Sequence, residues 1–425
     1  MTKLHDQIIK IVFLVMVLVS ITACIHTSPI PNRTMTFEPG ITALASNIAE
    51  QLEKSSVRNM LNKVVINPLT KQKQMTKIAI DPFIDVESGY PVKANVQIAN
   101  LISKEIGKRF AITGEMDPEN LERSEYVLNG MVTLEDKYGK QSKAYKVFAT
   151  VFEKSSGKVL ASASVYINSF DTTPMDIYKD SPVFFKGNNY KDHVASVRKD
   201  PDETITKGYN DRLSSKAMLV KGDSLYEKQD YNKSLAYYNQ VAGGQKEQEL
   251  EVLNGQFTNL VKQGQLENAE HVYIKLLNTS ITETSEVANK IIFAPNSIVP
   301  LDSKMDLYKI YIRQIANRVA ASSACRVQII GHSSRTGSGS YNDKLSRQRA
   351  EWIQHQMESY SPKSRSRTQT IGRGFKENVV GSGKDDLTDA IDRRVEFKFN
   401  QCEVTEQPER VKIIITDGEK DKPKK

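Results

Sequence analysis

The run Val327-Gln328-Ile329-Ile330 feeds directly into the glycine- and serine-rich stretch GHSSRTGSG, Gly331 to Gly339, and a long helical pattern follows. This order constrains the chain more than any other feature. An apolar run so bounded reads as a short buried strand, Cys325 to Ile330, and the loop after it lets backbone approach a ligand closely. At about 100° per residue, Leu345, Ala350, Ile353 and Met357 share one helical arc. Arg349 falls inside that arc. A guanidinium there is costly unless it finds a partner, so Arg349 is either half of a structural ion pair or a ligand-binding group.

The agreement extends to both sides of the loop. Three blocks stand out: Gly331-His332-Ser333-Ser334-Arg335-Thr336-Gly337, then Tyr341-Asn342-Asp343-Lys344-Leu345-Ser346-Arg347-Gln348-Arg349-Ala350, then Asp392-Arg393-Arg394-Val395. They resemble the peptidoglycan-binding signature of the OmpA-like C-terminal domain, also found in Pal and MotY-type proteins. That signature reads G-H-T-D-x-x-G, Y-N-x-x-L-S-x-x-R-A and N-R-R-V. The resemblance covers about residues 285–402 and implies an α/β domain with a mixed sheet. Its strands are expected at Ile291 to Phe293, Cys325 to Ile330, Thr368 to Ile371 and Val395 to Phe399, with a first helix from Lys304 to Ser322.

The resemblance also implies a peptidoglycan partner, held by the diaminopimelate of its stem peptide. Arg349 stands where the family's Arg grips the carboxylate in a charge-assisted fork, with Arg393 in support. Ser334 stands where the family has Asp, so the charge that would meet the ammonium is gone. Asp392 stands where the family has Asn. Thr336, Gly337, Asn342 and Leu345 complete the implied set, with Asn342 and the amides near Gly337 against the peptide backbone.

Residues 1–23 read as a targeting segment, with Lys3 and Lys10 beside an apolar run, Ile11 to Ala23, that is short for a membrane span. The run ends in Ile21-Thr22-Ala23-Cys24, which resembles the bacterial lipobox. That resemblance implies lipidation of Cys24, cleavage before it and acylation of the new amino terminus; three acyl chains anchor stably where one is marginal. Ile25, where an Asp would retain a lipoprotein in the inner membrane, points to the outer membrane. Residues 24–40, rich in Pro and Thr, read as an extended tether reaching about 50 Å, and 403–425 as a charged tail. With Cys24 lipidated, Cys325 and Cys402 remain as a pair in an oxidising compartment, which favours a disulfide. In the OmpA-like fold the last strand runs antiparallel beside the second, which brings these two cysteines together.

A chain of 425 residues holds two or three domains. Residues 41–170 alternate helix and strand. A helix runs from Ile41 to Lys63 on Leu44, Ile48, Leu52 and Val57. A strand follows at Lys77 to Ile80, then a helix from Val92 to Phe110 on Val96, Ile98, Leu101, Ile102 and Ile106. Strands come at Glu125 to Leu134, Ala144 to Phe152 and Lys158 to Ile167, the last two joined by the turn Lys154-Ser155-Ser156-Gly157. The order, with Tyr126-Val127-Leu128-Asn129-Gly130 and the stretch Val151 to Leu160, resembles the domain of LpoB-type activators of penicillin-binding proteins and of FlgO- and CsgG-like lipoproteins. A small α+β domain without catalytic role is the equal alternative.

Residues 171–213 lack periodicity and read as a linker. Residues 214–280 resemble two tetratricopeptide units, on Gly222, Tyr226, Tyr231, Ser234 and Tyr238, then Leu253, Phe257, Gly264, Ala269 and Tyr273. Ser234 and Ala269 stand 35 residues apart, near the period of about 34. Such stacks bind peptides or serve as spacers. The expected fold is thus multidomain: an α+β N-terminal domain, an α-helical repeat segment and the α/β C-terminal domain.

The formal charge of +8 is a modest excess spread along the chain. With no arginine-rich arm or nucleic-acid module, it gives no reason to expect DNA or RNA as a partner. Gly337-Ser338-Gly339 and Gly372-Arg373-Gly374 read as turns, without a dinucleotide pattern around them. His332 lacks a second ligand at metal spacing and reads as a buried, hydrogen-bonded residue. Asp385 and Asp386 read as solvated, and Trp352 as packing. No catalytic residue, metal set or cofactor is expected. The sequence therefore reads as a non-enzymatic outer-membrane lipoprotein on the periplasmic face, tied to peptidoglycan. The alternative is an envelope scaffold or regulator that recruits a peptidoglycan synthase, flagellar ring or secretion machine.

Overall fold

The structure, a computed structural model, describes residues 30, 32–62, 77–136, 143–184, 186–246, 249–378 and 392–402. The expected targeting segment, Cys24, Asp385, Asp386 and the tail at 403–425 lie outside these residues. The chain divides into two compact units, Met1–Thr173 with Asn189–Val220, and Pro174–Asn188 with Lys221–Lys425.

The first unit is built on a mixed sheet. Its strands are β1 (Lys77–Ile80), β2 (Ile84–Asp85), β3 (Ala111–Glu115), β4 (Tyr126–Asp136), β5 (Lys143–Glu153) and β6 (Val159–Ile167). β1 is parallel to both β3 and β4, β2 is parallel to β4, and β4, β5 and β6 form an antiparallel meander. Val127 pairs with Phe152 and Leu128 with Val151, so alternation sends the two pairs to opposite faces. Val127 and Phe152 pack with Ala79, Met116, Ile205, Tyr209 and Leu213. The other face is covered by α1 (Phe37–Asn62) and α2 (Lys93–Ile106), whose Leu44, Ile48, Leu52, Ile98, Ile102 and Ile106 are buried. Each such side chain contributes about 1.5–3 kcal/mol at most. Gly40 lets α1 lie close on β6: a Cβ there would stand 2.7 Å from the Ile167 side chain.

Several expectations fail in this unit for identifiable reasons. Val96 is 48% exposed, because two residues before Ile98 is more than half a turn away from the buried stripe. The tether was expected to run to Gly40, yet Met35 N donates to Tyr166 O at 2.9 Å and α1 begins at Phe37. β2, β3 and the one-turn α3 (Pro118–Glu122) carry too few residues to show a period. The cap of α3 is nevertheless legible: Asp117 accepts from Asn120 N at 2.9 Å and Pro118 follows it. The largest correction is the linker. Within 171–213 lie α4 (Asp176–Asp180), which belongs to the second unit, and α5 (Asn188–Val197) and α6 (Lys207–Asp211); Ile177, Val197, Ile205 and Tyr209 are buried. These helices are short and carry few apolar residues, so their stability comes from tertiary packing.

The second unit holds helical hairpins and a second sheet. The expected pairs between 214 and 280 are helical: α7 (Leu213–Glu227), which begins in the first unit, α8 (Tyr231–Val241), α9 (Leu250–Lys262) and α10 (Leu266–Thr284). The small residues act at crossings. Ser234 Oγ donates to Gly222 O at 2.9 Å, and a Cβ on Gly255 would stand 2.0 Å from the Tyr238 ring. The sheet runs β7 (Glu286–Val287), β10 (Val395–Asn400), β8 (Arg326–Gly331), β9 (Thr368–Gly372). β10 is antiparallel to β7 and β8, and β8 is parallel to β9. α11 (Met305–Ala321) and α12 (Gly339–Tyr360) belong with it. The first strand is therefore Glu286–Val287 and not Ile291 to Phe293. Ile291 and Phe293 are buried as expected, but they form no strand of this sheet; Phe293 makes a single antiparallel bridge to Pro300 across the turn at Pro295 and Asn296.

Candidate functional site

The site grows from the end of β8. A Cβ on Gly331 would stand 1.9 Å from Ser346 O, so only glycine allows α12 to cross β8 this closely. The loop that follows turns through Gly337 at φ +96°, a left-handed conformation natural to glycine. Ser338 caps α12 by accepting from Tyr341 N at 3.3 Å. Asn342 is buried and donates from Nδ2 to Thr336 O at 2.9 Å and Ser338 O at 3.1 Å. Its amide therefore holds the loop in shape rather than facing outward. Leu345 and Ser334 are each 6% exposed, the first in the core of the α12 stripe and the second at the base of the loop.

Arg349 is 0% exposed. Its Nε donates to Ser297 O at 2.9 Å, Nη1 to His332 O at 3.1 Å and Nη2 to Ala294 O at 3.1 Å. The guanidinium also lies 5.0 Å from the centre of the Phe293 ring. Arg393 works on the same strip: its Nε donates to Phe293 O at 3.0 Å, and its own carbonyl accepts from Phe293 N at 3.4 Å. The two arginines thus fix the Phe293 to Ser297 strip against the β8 loop. Tyr341, 45% exposed, closes the edge by donating to Asn296 Oδ1 at 3.2 Å. The expected role of Arg349 is an open fork to a ligand carboxylate; in this structure its guanidinium donates to at least these three backbone carbonyls.

His332 is buried as expected, but its Nε2 lies 3.5 Å from Glu396 Oε2 and its Nδ1 3.9 Å from Glu377 Oε2, outside hydrogen-bond range. Burial pushes the imidazole below its ordinary pKa. Burial also works to raise Glu396, but the neighbouring His332 and Arg394 outweigh it and hold the carboxyl well below the usual range. Arg394 Nε donates to Glu396 Oε1 at 2.7 Å. Trp352 is half-buried.

Ser334, Thr336, Gly337, Asn342, Arg349 and Arg393 therefore belong to one end of the β8–α12 unit. Asp392, fully buried, leads into β10. Cys325 and Cys402 lie at the opposite end of β8, and they are joined in a disulfide. The strip at 293–297 was missed as part of the site. The signal was present: Pro295 and Asn296 directly follow an apolar run and mark a turn. Among the described residues, no group of three or more His, Cys, Asp or Glu is placed to hold a metal, and no helix is long and apolar enough to cross a membrane.

Solved structures are similar to this chain over about a quarter of its length. The peptidoglycan-associated lipoprotein from Burkholderia pseudomallei is 20% identical, over 26% of this chain and 88% of that one, with a TM-score of 0.23. The cell wall anchor of the T6SS from Pseudomonas aeruginosa is 24% identical, over 28% and 80%, at 0.22. The OmpA-like domain of FopA1 from Francisella tularensis is 25% identical, over 26% and 69%, at 0.22. No family model and no curated protein matches the chain.

Proposed function

We propose that residues 285–402 hold peptidoglycan non-covalently through a diaminopimelate-bearing stem peptide, in a non-enzymatic lipoprotein anchored at Cys24 to the outer membrane. The observation that carries this reading is the meeting of Arg349, Arg393 and the Ser334 to Gly337 loop around the Phe293 to Ser297 strip, at the end of β8. Arg349 acts here as a buried cation beneath the loop. It orients three carbonyls, and its charge in a low-dielectric setting attracts a ligand carboxylate at the mouth. Ser334 offers a hydroxyl that accepts from the ammonium without a charge of its own. Incubation of the purified protein with wall sacculi tests the reading: it should sediment with them, and a protein that stays in the supernatant at low salt is not a wall binder.

One observation favours a second reading. Complete burial of Arg349 suits a fold whose polar residues serve shape, with the first unit and the tetratricopeptide-like helices recruiting an envelope machine. Cross-linked pull-down from cells separates the two: recovery of one protein partner in place of muropeptides selects the scaffold.

A further inference from the structure

The charge excess, expected above to be spread along the chain, is instead concentrated in one stretch. Of 59 Lys and Arg and 51 Asp and Glu, residues 326–376 hold ten and three, leaving 49 against 48 elsewhere. Part of this charge is structural. Arg349 is buried, and Arg367 Nη1 donates to the carbonyls of Val319, Ala320 and Ser322 at the end of α11. Arg335, Lys344 and Arg347 are different. All three are exposed, and among the described residues none of their side chains has a hydrogen bond or ion pair. Arg373 and Lys376 are also exposed and meet only half-exposed acids, Glu377 at 3.5 Å and Asp343 at 2.9 Å. Pairs of that kind contribute little in water and yield readily to a competing anion.

The topology gathers these five cations. A Cβ on Gly372 would stand 2.5 Å from Asp343 O and 2.7 Å from Arg347 N, so the end of β9 lies directly on the first turns of α12. Arg373 N donates to Gly331 O at 3.0 Å, and Ser333 N to Gly374 O at 2.9 Å. The β8 loop carrying Arg335, the α12 turns carrying Lys344 and Arg347, and the turn carrying Arg373 and Lys376 are thereby stitched together. Arg335 stands between Ser334 and Thr336, so the basic face is continuous with the candidate site.

We propose that this face docks carboxylates of the wall polymer beyond the stem peptide held at the site, an inference that rests on the peptidoglycan reading above. The chemistry fits: three of the five cations are guanidinium groups, which match carboxylates as forks. A polymer seated at Ser334 and Thr336 must also leave past Arg335.

The test is sedimentation with purified sacculi across rising salt, for the wild type and for R335Q/K344Q/R347Q, three exposed positions outside the candidate binding set. Wild-type binding should fall steeply with salt. The triple variant should bind about tenfold more weakly at low salt and converge on the wild type once the charges are screened. Sacculi whose carboxylates have been amidated should cost the wild type at least the loss seen in the triple variant, since amidation also removes the stem carboxylate at the site. A triple variant with the wild type's salt dependence overturns this proposal and leaves wall binding standing. Failure of the wild type to sediment at any salt overturns both. Equal affinity of the wild type for anionic phospholipid vesicles, lost in the triple variant, overturns the assignment to wall carboxylates and gives the face to lipid phosphate.

Discussion

Cys325 and Cys402, 77 residues apart, are bonded with their Cα atoms 4.3 Å apart, where β8 begins and β10 has just ended. The antiparallel register brings this about: Asn400 lies opposite Arg326, and Val395 opposite Gly331 at the far end. The closed loop contains α12, β9 and the candidate site except its 293–297 strip. In the chain-entropy account a loop of this length stabilises by about 4–5 kcal/mol. Cys325→Ala with Cys402→Ala should lower the urea midpoint by a matching amount, and non-reducing peptide mapping of the wild type should recover the linked pair. Two freely alkylated thiols in protein from the periplasm would remove the bond from the account.

Acid should weaken the first unit through His193. This imidazole is buried against Asp81, Tyr209 and Lys216: its Nδ1 lies 3.6 Å from Asp81 Oδ2 and 3.1 Å from Lys216 Nζ, and its Nε2 3.0 Å from Gly130 O. Burial first, then the Lys216 charge, lowers its pKa to about 4. The unfolded chain, titrating near 6.5, therefore binds more protons between pH 6.5 and 4, and stability falls as the pH drops through that window. The loss amounts to about 3 kcal/mol at its limit. Urea midpoints at several pH values should show it, and His193→Gln should flatten the slope. An unchanged slope in that variant would place the acid sensitivity elsewhere.

Much of this architecture was legible where side-chain period and backbone need coincide. The α12 stripe of Leu345, Ala350, Ile353 and Met357 is buried as its spacing predicts, and β4, β5 and β6 stand within two residues of their expected ends. The antiparallel pairing of β10 with β8 agrees with the expectation that joined the two cysteines. What stayed hidden depends on contacts distant in sequence. No pattern within 171–213 announces that Tyr209 will give its hydroxyl to Asp81, 128 residues away. The three carbonyls that meet Arg349 were hidden for the same reason: every residue carries one and no side-chain code reveals it.

Gly331→Ala should be among the costliest single-methyl changes in the second unit. The added Cβ would meet Ser346 O at 1.9 Å and Ser346 C at 2.8 Å, both backbone atoms of α12 that cannot rotate away. The helix must move off β8, taking Arg349 and the Ser338 cap with it. Overpacking of this kind costs about 1–3 kcal/mol or more. The expected result is a lowered midpoint together with weaker wall binding. A midpoint within error of the wild type would show that α12 shifts freely.

The last prediction concerns the charge balance at the site. Arg349→Ala removes at least three hydrogen bonds and takes the donor from the buried carbonyl of His332 and the part-buried carbonyls of Ala294 and Ser297. It should therefore lower stability by about 3 kcal/mol or more as well as abolish binding. Arg349→Lys separates these effects, since it keeps the cation but cannot reach three carbonyls at once. If the buried charge attracts the ligand, Lys retains part of the affinity for a diaminopimelate-containing stem peptide despite a lower midpoint. At Ser334 the substitution to Asp adds a carboxylate to meet the ammonium. Hydrogen bonds to charged groups are worth about 1.5–3 kcal/mol against about 1 for neutral ones. Affinity in Ser334→Asp should thus rise about 5- to 30-fold, measured by titration of the full protein with that peptide. Unchanged affinity in both Arg349 variants would mean that this pocket does not hold the stem. Failure of Ser334→Asp to tighten binding that Arg349→Ala abolishes would mean that another acid already holds the ammonium. Asp392, fully buried beside Arg393, and Asp343, paired with Lys376, are then the positions to replace next.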